Sequence, residues 1–284
     1  MEQEIGVDTS EVGTDEFFSG KYQNCAYSCF QNRSLEDRFI IASKGDVKYY
    51  GIYDGHGESL QYRKDKTLSS NHVVLHIRDK LHHYVFDCLG SDPLSLRPDE
   101  INTRIRALFT TVDSHMMNVG GQFGCTTNII LVIGNYVYQI NLGDSKSILY
   151  RDDYIISETR DHEPNNEKER IAAAGGRVSD DNRVNGILAM SRAFGNYHLK
   201  VVNGSYSPDG PVSCRPNVTV TSKQQGMKFI IASDGLYDGL TSTQYLINIL
   251  SKSNDHLEAV RNLTYLVQGN NSDDDTTMIS GDIV

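Results

Sequence analysis

Acidic residues occur beside short apolar runs at five places in this chain, and such runs are the segments best able to hold side chains in fixed positions. These acids are Glu36-Asp37, Asp54, Asp144, Asp234 and Asp274. Each Asp taken alone is also typical of a turn. As a set they indicate metal binding, because Mg²⁺ and Mn²⁺ prefer carboxylate, carbonyl and water oxygens. Two such ions held by carboxylates activate water for attack near neutral pH.

Three residues near these acids have types that suit phosphoester chemistry. Gly55 carries no Cβ, so its carbonyl can approach a metal ion closely. His56, two residues after Asp54, can supply the proton that a leaving alkoxide needs, although a hydrogen-bonded loop histidine is an equally simple interpretation. Arg33 precedes Glu36 and can bind a dianionic phosphate through its planar fork, with an exposed surface arginine as the alternative.

The elements that must position these residues alternate between strand and helix patterns. Three β-rich runs follow one another at Thr126–Ile133, Tyr136–Leu142 and Ser147–Arg151, and Gly134-Asn135 fits a two-residue hairpin turn. Strands joined this tightly are antiparallel, because a parallel pair needs a long crossover. Helical spacing recurs at Asn71–Leu89 and Ile101–Met117. The sequence therefore predicts an α+β fold, a sheet-on-sheet core covered by helices.

Residues 1–20 contain six acids and no Lys or Arg, so we interpret them as a loose acidic tail and neither a secretory signal nor a transit peptide. No linker or composition break follows, which predicts a single domain over residues 21–284. Asn165–Ala174 fits a short helix, and Thr241 to Gln244 matches a capping box that opens another helix.

The formal net charge of -10, from 27 Lys+Arg against 37 Asp+Glu, argues against a nucleic-acid binder, which needs a cationic footprint. No stretch approaches the ~20 apolar residues that span a bilayer. Five scattered Cys indicate a reducing compartment rather than a disulfide framework. We expect a soluble intracellular protein, cytoplasmic and/or nuclear, without a membrane partner. No surface pattern argues for oligomerisation, so a monomer is expected.

Histidines also recur on the first predicted helix, at His72, His76, His82 and His83. With no Glu between them, they are interpreted as a helix face rather than as metal ligands.

The order of the motifs resembles the metal-dependent protein phosphatase family of the 2C type. The resemblance covers nearly the whole chain from about residue 21. The matching segments are, in order, Arg33 with Glu36-Asp37, Asp54-Gly55-His56-Gly57, Gly124-Cys125-Thr126-Thr127, Asn141-Leu142-Gly143-Asp144-Ser145, Asp161-His162-Glu163-Pro164, Glu169-Arg170-Ile171 with Gly175-Gly176, Arg183-Val184-Asn185-Gly186, Leu188 to Gly195, Ala232 to Asp238, and Asp274-Asp275-Thr276-Thr277.

The resemblance implies two packed antiparallel β-sheets flanked by helices, a four-layer α-β-β-α sandwich. It implies hydrolysis of phosphoserine and phosphothreonine in proteins with two Mn²⁺ or Mg²⁺ ions and a weaker third. The resemblance implies that Asp54 bridges two ions, that the Gly55 carbonyl binds one of them, and that Asp234 and Asp274 bind the second. It implies that Glu36 and Asp37 bind directly or through water, and that Asp144 binds the third ion. It also implies that Arg33 binds the substrate phosphate and that His56 is the general acid. Arg183 is expected at a flap beside the site, a region tied to substrate choice.

Some positions depart from the family pattern. Arg33 stands one residue closer to Glu36 than usual, Asn196 replaces an Asp, Asp275 replaces an Asn, Glu58 replaces a Gly and Cys125 replaces a Ser. None of these removes a principal metal ligand. An active phosphatase for phosphoproteins is the main hypothesis. The alternatives are a catalytically weak or inactive pseudophosphatase that acts as a regulatory interaction module, and a phosphatase for small phosphoesters.

Overall fold

A computed structural model describes residues 2–5, 16–31, 36–57, 70–269 and 274–284 of the chain. Its strands are β1 (Glu2–Ile5), β2 (Glu16–Tyr22), β3 (Cys25–Gln31), β4 (Asp37–Lys44), β5 (Val47–His56), β6 (Gly124–Cys125), β7 (Thr127–Ile133), β8 (Tyr136–Leu142), β9 (Lys146–Arg151), β10 (Tyr154–Glu158), β11 (Phe194–Gly195), β12 (Val201–Val202), β13 (Ser205–Tyr206), β14 (Asn217–Ser222), β15 (Lys228–Ala232) and β16 (Thr276–Asp282).

The α-helices of the described residues are α1 (Ser70–Leu89), α2 (Pro98–His115), α3 (Met117–Gly120), α4 (Lys168–Ala173), α5 (Asp234–Asp238), α6 (Thr243–Lys252) and α7 (His256–Gly269). Short 3-10 turns cover Pro93–Ser95, Pro164–Glu167 and Tyr197–Leu199.

Two antiparallel sheets form the centre of the fold. The first has the order β1-β4-β5-β7-β8-β14, with β6 paired to the end of β5 and β11 paired to β6, and the second has the order β10-β9-β15-β16-β3-β2. In the hairpin between β7 and β8, Ile133 pairs with Tyr136, which confirms the predicted two-residue turn at Gly134-Asn135.

Side-chain alternation along the strands divides the core into layers. Phe39 and Ile41 of β4 lie between the sheets, in one apolar cluster with Phe229 and Ile231 of β15. Ile40, their neighbour in sequence, points to the opposite face and packs with α1 and α2. The outer face of the second sheet packs with α6 and α7. The predicted α+β fold, two packed antiparallel sheets flanked by helices, is therefore confirmed.

Some sequence predictions need correction. Residues 1–20 are not a loose tail where the structure describes them, because β1 pairs with β4 and β2 pairs with β3. The acids in and around these strands obscured the strand pattern in the sequence. The strands form because each pairs with a buried strand. Ser242, not Thr241, caps α6, since its side chain accepts a hydrogen bond from the Tyr245 amide. The helix predicted at Asn165–Ala174 begins as a 3-10 turn before α4.

One end of the sandwich gathers the termini of the strands that carry the acidic residues. Here β4 begins, β5 and β8 end, β15 ends and β16 begins. In the part of the chain that the structure describes, no helix combines the length and apolar character needed to cross a bilayer.

Candidate metal centre

Three carboxylates meet at this end of the sandwich. Asp54, Asp144 and Asp234 each offer a carboxylate oxygen, and these oxygens all lie within 4.8 Å of one another. They come from three separate places in the fold: near the end of β5, the loop between β8 and β9, and the start of α5. Among the described residues no Lys or Arg forms an ion pair with any of the three. An uncompensated cluster of this kind suits a divalent cation.

Asp37 lies next to the cluster and is held firmly. It pairs with Asp54 across β4 and β5, so the two carboxylates stand on neighbouring strands. Asp37 is buried, and the Ser233 hydroxyl donates a hydrogen bond of 2.6 Å to its Oδ2. The Ser233 oxygen in turn accepts from the Thr277 amide at 3.0 Å. Ser233 thus ties the first sheet to the second, a role that its sequence position alone did not indicate.

The electrostatics of the cluster oppose its ionised form when no cation is bound. Burial, followed by the charge of Asp234, raises the pKa of Asp54 well above its ordinary value. Burial and the charge of Asp144 raise the pKa of Asp234 in the same way. Burial raises the pKa of Asp144 to about 7, and its Oδ1 is buried without a hydrogen-bond partner. A carboxylate oxygen in that state is ready to accept a metal ion, so the residues present fit one.

The other predicted ligands surround this cluster at its edges. The Glu36 amide donates to the Asp275 carboxylate at 2.8 Å, so the unusual Asp275 organises the segment that carries Glu36. Burial raises the pKa of Asp274, and the charge of Asp274 contributes to the raised pKa values of Asp54 and Asp234. Asp274 is not one of the three residues that meet within 4.8 Å.

Gly55 is buried between two strands, where a Cβ would lie 3.3 Å from the carbonyl oxygen of Glu36. Arg33 and Glu58 lie outside the described residues, so their predicted positions stay predictions.

His56 contacts the residue that departs from the family pattern. Its Nε2 lies 2.7 Å from Oδ1 of Asn196, whose Nδ2 donates to the carbonyl of Gln122 at 2.9 Å. Because the Asn196 amide nitrogen is engaged with Gln122, its oxygen faces His56, and the neutral imidazole carries its proton on Nε2. Nδ1 of His56 is buried without a hydrogen-bond partner. The Asn196 amide therefore fixes the tautomer and the orientation of His56.

A second histidine holds the loop of Asp144. The Gly143 amide donates to Nδ1 of His162 at 3.0 Å, and His162 is buried. Gly143 has a φ of +115°, a conformation that favours glycine. Thr126 also crowds this glycine, since a Cβ there would lie 2.7 Å from the Cβ of Thr126. The Asp161-His162-Glu163-Pro164 motif thus positions a metal-site loop, which its sequence did not indicate.

Two of the α1 histidines have a carboxylate beside them that their sequence positions did not indicate. Strand β1 brings Glu2 to His82 and His83, so that Nδ1 of His83 lies 2.6 Å from the Glu2 carboxylate. The three residues are far apart in sequence, and only the pairing of β1 with β4 brings them together.

The raised pKa of Asp144 gives a pH-dependent prediction for metal-free protein. In the folded state the Asp144 carboxyl keeps its proton up to about pH 7, whereas in the unfolded state it loses that proton near pH 4. Asp144 therefore lowers the free energy of unfolding as the pH rises from about 4 towards 7. Asp144→Asn removes the titration. In chelator, the melting temperature of the variant should therefore exceed that of the unchanged protein by a margin that grows between pH 5 and pH 8.

Comparing the two proteins at each pH cancels groups that Asp144 does not perturb, including His56 and His162, whose pKa values burial lowers to about 4. Asp234 does change, because the Asp144 charge helps to raise its pKa, and losing that charge adds to the margin in the same direction. Thermal unfolding monitored by circular dichroism gives the difference directly. A margin that is independent of pH, or an Asn variant less stable at pH 8, contradicts the prediction.

Comparison with known proteins adds a family and a set of relatives. A family model described as "Protein phosphatase 2C" matches residues 15–276. "Protein phosphatase 1B" of Homo sapiens is 33% identical over 228 residues, which are 76% of this chain and 46% of the relative. "Probable protein phosphatase 2C 7" of Oryza sativa subsp. japonica is 30% identical over 271 residues, 90% of this chain and 64% of that protein. The chain thus spans about half to two thirds of the length of these relatives.

Solved structures share the fold. A phosphatase from a pathogenic strain of Toxoplasma gondii superposes with a TM-score of 0.72 at 19% identity, covering 93% of this chain and 94% of the other. A serine-threonine phosphatase 2C from Toxoplasma gondii superposes with a TM-score of 0.65 at 19% identity, covering 98% of each chain. At these identities the likeness shows the fold alone.

Proposed function

The chain belongs to the protein phosphatase 2C family, and from that premise we propose that it hydrolyses phosphoserine and phosphothreonine esters of proteins with the help of bound divalent cations. The family resemblance inferred from the sequence is confirmed. The observation that carries the proposal is the meeting of Asp54, Asp144 and Asp234 within 4.8 Å with no cationic partner among the described residues.

We propose two Mn²⁺ or Mg²⁺ ions at this end of the sandwich, with a weaker third. Asp54 and the Gly55 carbonyl, both near the end of β5, would hold these ions on one side of the site. The remaining proposed ligands are Asp234, Asp274, Glu36, Asp37 and, for the third ion, Asp144. The orphan oxygen of Asp144 and the mutual repulsion of the carboxylates support this set, since a cation satisfies both.

When bound, the ions lower the pKa of water and neutralise charge on the phosphoryl oxygens. The chain supplies the rest. Arg33 is the proposed partner of the substrate phosphate, because its planar fork matches two phosphate oxygens. Ser233 and His162 hold Asp37 and the Asp144 loop in place. No covalent phosphoenzyme is required, because water attacks phosphorus directly in this scheme.

His56 is the proposed general acid. Its Nε2–H stays on Asn196, so the proton for the leaving oxygen comes from Nδ1 of the imidazolium. Burial, with a smaller contribution from the charge of Lys200, lowers the pKa of His56 to about 4, which disfavours that cation. A phosphate dianion bound beside the ring raises the pKa of His56, because its negative charge stabilises the imidazolium.

The general-acid role predicts a dependence on the leaving group. Removal of the imidazole by His56→Ala should lower turnover of a phosphothreonine peptide by roughly 10²–10⁴-fold, the usual value of a positioned acid. Turnover of p-nitrophenyl phosphate should fall far less, because nitrophenolate leaves without a proton. Steady-state kinetics with both substrates gives the comparison. An equal loss on the two substrates would reject the role.

The substrate class is tested by phosphate release from matched peptides in Mn²⁺. A phosphothreonine peptide, a phosphotyrosine peptide of the same sequence and a small aryl phosphate are offered to the full chain. The proposal predicts the highest kcat/KM for the phosphothreonine peptide. Faster hydrolysis of the free aryl phosphate would favour the small-phosphoester alternative. No release from any substrate, by folded protein that binds Mn²⁺, would favour the regulatory alternative.

A further inference from the structure

A cleft of about 450 Å³ adjoins the candidate centre on the side of His56. Its size falls within the ~300–1,000 Å³ range of ligand pockets. Its lining residues come from the end of β5, the segment before β6, the loop between α4 and β11, and the turn after β11: His56, Gly57, Gln122, Arg183, Ile187, Leu188, Ala189, Met190, Asn196 and His198. Because His56 lines it, the cleft lies beside the residue that we propose as the acid for the leaving group of a substrate.

The side chains on the loop side of the cleft are apolar. Leu188 and Met190 form a mostly buried floor and are anchored in a small apolar cluster with Ile171 and Val212. Ile187 projects from the same loop and keeps 53% of its surface exposed. A large aliphatic side chain left this exposed at the rim of a cleft gains free energy when a second apolar group covers it.

Arg183, the permanently charged residue of the cleft lining, already has hydrogen-bond and ion-pair partners. The Arg183 guanidinium donates to the carbonyl of Ile187 at 2.9 Å and pairs with Asp181 at 3.4 Å. Burial lowers the pKa of His198, which favours its neutral form. An acidic guest would have to compete with Asp181 and the Ile187 carbonyl for Arg183. A basic guest would lose hydration and find no carboxylate among the described lining residues.

We propose that this cleft is a subsite for an apolar side chain next to the phosphorylated residue of the substrate. The occupant is a Leu-sized or aromatic side chain of the phosphoprotein, one residue before or after the phosphoserine or phosphothreonine. The inference rests on the proposed function, because it places the phosphate beside His56. It narrows the substrate class to phosphorylated segments with an adjacent apolar residue.

Five phosphothreonine peptides test the subsite. One has Gly on both sides of the phosphothreonine, two have Leu on one side or the other, and two carry Asp or Lys at the position where Leu acts best. One Leu peptide should exceed the Gly peptide in kcat/KM by about tenfold or more, since an apolar pocket discriminates roughly 10–200-fold per methylene group. The Asp and Lys peptides should show no gain.

Two matched variants identify the cleft as the source of the preference. Ile187→Asp should bring the ratio of kcat/KM for the Leu and Gly peptides close to one. Val201→Asp should leave that ratio unchanged, because Val201 is also an exposed aliphatic residue, 50% exposed, but does not line the cleft.

The outcomes separate the two proposals. Equal hydrolysis of all five peptides, a preference for the Asp or Lys peptide, or a Leu preference that survives Ile187→Asp overturns the subsite and leaves the phosphatase intact. No hydrolysis of any peptide in Mn²⁺ overturns the proposed function, and the subsite fails with it.

Discussion

Replacement of Asp234 by Asn should abolish phosphothreonine hydrolysis while the protein still folds. We expect a loss of at least roughly 10²–10³-fold, the effect of removing one preorganised electrostatic group from an active site. Asp234 meets Asp54 and Asp144 within 4.8 Å, so the amide removes one charge from the proposed cation site. Because the same charge raises the pKa of Asp54 in metal-free protein, the variant should be no less stable in chelator.

Asp46→Asn is the matched control for this change. Asp46 lies in the turn between β4 and β5, at the opposite end of the sheet from the acidic cluster, and it is exposed. Turnover and Mn²⁺ affinity should be unchanged in the control. If Asp234→Asn kept turnover within a few-fold of the unchanged protein in the same Mn²⁺ buffer, Asp234 would not be a ligand of the catalytic cations. The proposed position of the metal centre would then be wrong.

Lys200→Met should lower the free energy of unfolding by about 3–5 kcal/mol, the cost of breaking a buried ion pair from one side. Lys200 and Asp113 have fully buried side chains, and the Lys200 ammonium lies 2.8 Å from each oxygen of the Asp113 carboxylate. The substitution leaves that carboxylate buried without its counterion. Chemical denaturation of the metal-free proteins, with Lys252→Met as an exposed control, measures the loss.

A second substitution shows that the unpaired charge causes the loss. In the double variant Asp113→Asn with Lys200→Met the buried charge is gone, so the double variant should be more stable than Lys200→Met alone. If the loss of stability in the double variant equalled the sum of the losses in Asp113→Asn and Lys200→Met, the two side chains would not act as a pair.

The same pair connects the fold to the candidate site. The Asp113 carboxylate accepts hydrogen bonds from the Gly195 amide and the Tyr206 hydroxyl, each at 2.8 Å. Gly195 precedes Asn196, the residue that orients His56. Helix α2 therefore holds the backbone next to Asn196 through Asp113.

The sheets and the acidic centre were predictable from sequence because local patterns specify them. Strands such as β7 and β8 consist of continuous β-branched and apolar residues, and a two-residue turn leaves only antiparallel pairing. Acids at five places beside predicted strands could be grouped before any distance was known. Of these, Asp54, Asp144 and Asp234 bring carboxylate oxygens within 4.8 Å of one another.

Other features depend on contacts that no local pattern encodes. Strand β14 is only partly buried and lies at a sheet edge, where it pairs with β8 alone, and β1 forms only because β4 offers a free edge. Ser233, His162 and Asp113 act through partners far away in sequence. Asn196 was noted as a departure from the family, but its contact with His56 required the fold.

We propose that the protein hydrolyses phosphoserine and phosphothreonine with the help of divalent cations bound at the acidic end of the sandwich. The most direct test is one Mn²⁺ titration of chelator-treated protein, followed both by calorimetry and by phosphate release from a phosphothreonine peptide. We expect no release before Mn²⁺ is added, release that rises with site occupancy, and loss of both signals in Asp234→Asn. Release that persists in chelator, or cation binding that Asp234→Asn leaves intact, would contradict the claim.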